Sequence, residues 1–143
     1  MNAGHIVGAL LLAVWPPPSG IVMRRNASES AVVFAVRRVT DESDAIEIRT
    51  EADEALVYIH GAGPLEFDLS EIDDERLLVA LLQAARDGRL RGVVSLDRRG
   101  HAAVEQLQLL DEDGEPLDAL FLPIDVPRPH RSDRKATIYE PLR

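Results

Sequence analysis

The sequence predicts an α+β fold: a mainly antiparallel sheet with one main helix, residues 71–87, packed on one face. Three observations lead there. From Ile21 to Leu69, short β-favouring runs alternate with polar turn clusters, the pattern of an antiparallel meander. One amphipathic stretch with helix start and stop signals follows. After it, two Asp-x-x-Gly turns offset by 14 residues separate three further apolar runs, as in hairpin-connected strands. The 143 residues are 45% hydrophobic, enough for one core without a metal or disulfide to close it.

Taken in order, the most apolar run is Ile6 to Trp15, followed by Pro16-Pro17-Pro18 and Ser19-Gly20 as the turn that ends it. No Lys or Arg precedes the run and no small-residue cleavage site follows, which disfavours a secretory leader. Its ten residues are about half of the ~20 that a helix needs to cross a bilayer. The expectation is a buried strand or short helix in a cytoplasmic chain with no membrane span, an atypical leader being the alternative. The meander runs are Ile21–Arg25, Ala31–Val39, Ala45–Thr50, Ala55–His60 and Leu65–Leu69. Ile46 and Ile48 alternate with Glu47 and Arg49, so that strand has one dry face. The AVVFAV run is apolar on both faces and belongs inside the sheet.

The helix is predicted from Ile72, Leu77, Leu78, Leu81, Leu82 and Ala85, which recur at three- and four-residue steps. Ser70 is the expected N-cap, Asp73, Asp74 and Glu75 complement the helix dipole, and Gly88 is the expected stop. The runs Gly92–Leu96, Ala102–Leu110 and Leu117–Ile124 then read as strands. The middle one also carries a partial helical phase through Val104, Leu107 and Leu110, and its flanking turns decide for strand. Residues 1–124 are expected as a single α+β domain and 125–143 as an extended Pro/Arg-rich C-terminal arm, because proline spacing disfavours regular structure. From Arg128 onward there are five basic and two acidic residues; the residues before it carry 11 basic against 23 acidic, a net of −12.

Composition excludes several chemistries. There is no Cys, hence no disulfide framework, thiolate metal site or cysteine nucleophile. The basic residues are Arg except for Lys135, the bias of a GC-rich bacterial or phage coding sequence, and no lysine is left for a phosphate-binding loop or Schiff base in the body. Of four histidines, His60 and His101 flank strand ends and, with Glu66 or Asp68, form the candidate metal or acid–base group, although no ligand spacing supports it. His60-Gly61-Ala62-Gly63 superficially matches an oxyanion loop but lacks a nucleophile elbow; a tight strand connection explains it better. Asp111-x-Asp113-Gly114 matches the middle of a calcium loop without its first and last ligands, so it reads as a hairpin turn. The acidic clusters at 41–44, 51–54 and 73–75 read as solvated surface.

No catalytic, cofactor-binding or metal residue is therefore assigned, and no cofactor is implied. The expected function is a non-catalytic protein-binding module of bacterial or phage type, resembling immunity proteins or small acidic chaperones in its acidity and lack of chemistry. Its partner is another protein or a second copy of itself, with Arg128, Arg131 and Arg134 as the partner-binding residues. A homo-oligomeric structural or assembly subunit is the alternative; a small hydrolase or ligand-binding enzyme around His60 and His101 comes third. Nucleic acid is not expected on so acidic a body, because phosphate neutralisation needs a basic surface.

Overall fold

The computed structural model describes residues 2–96, 102–121 and 134–143. Its elements in chain order are α1 (Ala3–Val14), β1 (Ile21–Ala27), β2 (Ala31–Arg38), β3 (Ile46–Glu51), β4 (Glu54–Ile59), β5 (Ala62–Asp68), α2 (Ile72–Asp87), β6 (Leu90–Leu96), β7 (Ala102–Leu110), β8 (Pro116–Phe121) and β9 (Arg134–Ile138). Strands β1 to β5 form one sheet in sequence order, every neighbour antiparallel. Strands β8-β7-β6-β9 form a second antiparallel sheet. The α+β class and the antiparallel pairing are those the sequence predicts. The strands are not in one sheet, however: those described divide between two.

The helices account for that division. α1 lies against β2 and β3, α2 against β5, and the two helices touch each other. α2 also packs on β6 and β7, so it is covered from both sheets. Leu78, Leu81 and Leu82 are 0% exposed, and Ala84 and Ala85 are buried as well. A helix with so wide an apolar arc cannot be covered by one sheet face alone. The link from α2 to β6 is only Gly88 and Arg89, which starts the second sheet on the flank of the helix.

The N-terminal run forms a helix, the second of the two forms expected for it. Ala3, Val7, Leu11 and Val14 are buried along one side, a helical phase that Ile6, Leu10 and Leu12 conceal in the sequence. Asn2 caps it, its Oδ1 accepting from the His5 amide at 3.0 Å. The start of α2 departs from expectation: Glu71 occupies the N-cap with no side-chain cap bond. Ser70 Oγ instead donates to Asp68 Oδ1 at 2.6 Å, and Asp74 Oδ2 accepts from the Asp68 amide at 2.7 Å. These side chains tie the helix start to the end of β5, and the expected Ser70 cap is lost to that local bonding. Gly88 ends the helix as expected, at φ 72°. A Cβ there would also come within 2.7 Å of Pro141.

Of the expected arm, residues 134–143 lie on the body. β9 pairs with β6, and the Tyr139 and Leu142 amides donate to Leu90 and Ala85 carbonyls, each at 2.9 Å. Leu142 is buried, and its carbonyl accepts from Trp15 Nε1 at 2.6 Å, just past the end of α1. Arg38 donates to the Pro141 carbonyl. The C-terminal strap thus joins both helices to β2. Arg128 and Arg131, His101 and the turn at 97–100 lie outside the described residues. No helix among the described residues is long and apolar enough to cross a membrane.

Candidate functional site

The meander leaves β1 at an edge, with β2 as its partner among the described residues. Its pairing phase follows from two bonds beyond its ends: Ser28 N donates to Ala31 O, and Val39 N donates to Gly20 O. In an antiparallel ladder, bonded residues alternate with residues whose amide and carbonyl face the other way. Gly20, Val22, Arg24, Asn26 and Ser28 therefore bond to β2, and Ile21, Met23, Arg25 and Ala27 present N–H and C=O to the outer edge. These same four residues stand opposite Arg38, Val36, Phe34 and Val32. They point to the face of the sheet that carries the helices, because Phe34 and Val36 are core residues.

α1 lies against β2 and β3; on that face of β1, Ile21 and Met23 are packed against the core, whereas Arg25 and Ala27 are exposed. Between α1 and the Arg25–Ala27 end of β1 runs a groove of about 550 Å³, lined by His5, Gly8 and Leu12 of α1, by Arg25 and Ala27 of β1, by Val32 on its floor, and by the acidic residues Glu29 and Glu51. Its volume falls within the range of natural ligand sites. Gly4 and Gly8 shape it: a Cβ on Gly4 would stand 3.2 Å from Val32, and one on Gly8 would stand 3.6 Å from the Phe34 ring. By strand register, Gly4 is level with Ala27 and Gly8 with Arg25. Leu12 is 55% exposed at one end. Thr50, buried below the groove, is satisfied by donating Oγ1 to the Val32 carbonyl at 2.9 Å.

The two arginines of β1 differ in their surroundings. Arg24, on the opposite face of the sheet, forks onto Asp44 at 2.6 and 2.8 Å. Arg25 is exposed on the groove side, and no ion pair holds it among the described residues. At the far side of the same sheet, register sets Glu51 opposite Glu54 and Glu54 opposite Asp68. Three carboxylates side by side on adjacent strands repel one another. Glu54→Lys is expected to raise the urea unfolding free energy by about 0.2–1 kcal/mol, the usual worth of one cross-strand pair; an unchanged midpoint would show that solvent already screens the row.

His60 is not gathered with carboxylates. It sits in the two-residue turn between β4 and β5 at φ 51°, whereas Asp68 lies at the other end of β5, opposite Glu54. Glu66 faces Leu56, and His101 falls outside the described residues. The His60 ring stacks on Tyr139, centroids 4.1 Å apart and planes at 16°, which makes it a clamp on the C-terminal strap. Burial first, and the nearby Arg38 charge second, lower its pKa below 6.5. Burial also raises the Tyr139 pKa, and the Ser70 bonds lower that of Asp68.

The His60 shift has a defined sign. Below 6.5 the unfolded chain takes up a proton that folded His60 resists, so stability falls as pH drops through 6.5 towards the lower folded pKa. Thermal unfolding between pH 7.5 and 5 is expected to show that loss. His60→Asn, which tolerates the positive φ, is expected to reduce it; an unaltered slope would assign the loss to other groups.

The HGAG segment is the tight strand connection expected, and Asp111-x-Asp113-Gly114 is the hairpin turn expected, Asp111 Oδ1 accepting from the Asp113 and Glu115 amides at 2.9 Å. Arg134 begins β9 opposite Ser95. The sequence expectations missed the groove, His5 and Arg25. Two signals pointed to them: a charge at Arg25 in the apolar phase of Ile21 and Met23, and Gly4 with Gly8 four residues apart in an apolar run. Comparison of the chain with protein-family models, with curated proteins and with solved structures finds no match.

Proposed function

We propose that the protein is a non-catalytic binding module that takes an extended segment of a partner protein as an added strand along β1. One observation carries this: Arg25 and Ala27, whose backbone groups face outward, are the β1 residues that line the groove. An added strand would bond through the amides and carbonyls of Ile21, Met23, Arg25 and Ala27, and its residues opposite Arg25 and Ala27 would point into the groove beside α1. Main-chain bonds supply affinity in such complexes, and the side-chain groove supplies selection. Arg128, Arg131 and Arg134 are part of the same proposal, as salt-dependent contacts to the partner.

Met23→Pro tests it. Proline removes the Met23 N–H on the open edge and leaves the β1–β2 bonds in place, a substitution edge strands accept. Partners retained by the wild type in pull-down from the native host are expected to be lost with this variant, with circular dichroism and urea midpoint unchanged. Retention of the same partner by folded Met23→Pro would refute docking along β1. A homo-oligomeric subunit is the second possibility, favoured by the same edge, since two copies can pair through it; a solution mass of one chain at working concentration counts against that.

A further inference from the structure

We infer that the segment received by β1 carries a carboxylate side chain at the position opposite Arg25, flanked two residues away by apolar side chains. This rests on the strand-addition proposal and names the chemistry of its partner.

Arg25 projects on the groove side at mid-strand, exposed and without an ion pair among the described residues, in line with Gly8. An inward charge on an edge strand discourages indiscriminate strand pairing. It also sets a requirement for a proper partner, because a directly opposed residue on an added strand lies within ~5 Å at Cβ. An acidic side chain there pairs with the guanidinium; a basic one is repelled. The neighbouring inward positions differ. Met23 is apolar and partly buried against the core, which suits an aliphatic side chain opposite it. Beside Ala27 the groove is lined by Asn2, Gly4, Ser28 and Ser30, and Ala27 itself is small and apolar, so the pattern is apolar, any, acidic, any, small or apolar.

The same arginines argue against a second copy as the occupant. Two β1 strands related by a two-fold axis pair antiparallel and isologously. Of the three registers nearest the centre of β1, those on Arg24 and on Arg25 set an arginine opposite its own copy, and like charges directly opposed are unfavourable, which leaves only the register on Met23. Glu29 and Glu51 also line the groove, but Glu51 alternates with the groove-side Thr50 on β3, so its side chain points to the other face of the sheet, and Arg25 is the charged residue directly opposite the acidic position.

The test uses the full chain and three capped heptapeptides, Thr-Val-Thr-Glu-Thr-Val-Thr and its counterparts with Gln or Lys in place of Glu, titrated to millimolar concentration while amide chemical shifts are followed. The Glu peptide is expected to shift the Met23, Arg25 and Ala27 amides and to bind about five-fold more tightly than the Gln peptide, with the Lys peptide weakest. In Arg25→Gln, whose exposed site makes unfolding no concern, the three affinities are expected to converge; in Met23→Pro all binding is expected to vanish. Equal affinities for the three peptides at β1 would overturn the acidic selection and leave strand addition standing. No shift of β1 amides with any peptide would overturn both. β1 shifts that depend on protein concentration alone would replace the acidic partner with a second copy.

Discussion

Leu81→Ala is expected to lower the unfolding free energy by about 3–5 kcal/mol, measured by equilibrium urea denaturation. Leu81 is 0% exposed on α2, the helix that packs on β5 of the first sheet and on β6 and β7 of the second. Truncation there removes transfer free energy and leaves a cavity whose walls belong to a helix anchored on two sides, which limits collapse into it. Against a total stability of about 5–15 kcal/mol for a domain, the variant should populate unfolded chain at low urea. A loss under about 0.5 kcal/mol, the range of surface changes, would place α2 outside the core.

Deleting residues 1–15 is expected to have the largest effect of all, giving unfolded or aggregated protein. The deletion takes away Val7, Leu11, Val14 and Trp15, all nearly inaccessible, each worth about 1.5–3 kcal/mol of burial, so roughly 6–12 kcal/mol together. It also uncovers β2 and β3 beneath α1 and removes the Trp15 bond that holds the Leu142 carbonyl. Circular dichroism and size-exclusion chromatography of the truncated chain check this. Because a truncation can fail for unrelated reasons, Leu11→Ala is the companion variant, with an expected loss of about 2–5 kcal/mol. Soluble truncated protein with native dichroism would show α1 to be dispensable to the core.

Local physics made much of the fold legible. Alternation of Ile46 and Ile48 with Glu47 and Arg49 gave β3 its buried and solvated faces, and the three- and four-residue steps of α2 gave its buried stripe. Turn chemistry at Asp111 to Gly114 placed the β7–β8 hairpin. Each of these depends on residues within one turn or one strand pair, whose energetics neighbours in sequence already specify. α1 was ambiguous because a run apolar on every side has no visible period, although its Asn2 cap was there to be read.

The groove lay beyond such reasoning. Nothing local says that α1 lies against β2 and β3, or that β1 is at an edge of the first sheet among the described residues and the chain builds a second sheet on α2. Those choices come from covering a helix that is apolar over a wide arc, a global packing problem. His60 illustrates the same divide: its chemistry was visible, but its neighbour is Tyr139, 79 positions away, not a carboxylate. The sequence by itself determined the α+β class, the antiparallel strands and the span of α2, because periodicity and turn residues act over a few positions. Only the tertiary structure decided the two sheets, the strapped C-terminus and the edge position of β1 among the described residues, because burial is settled between segments that are distant along the chain.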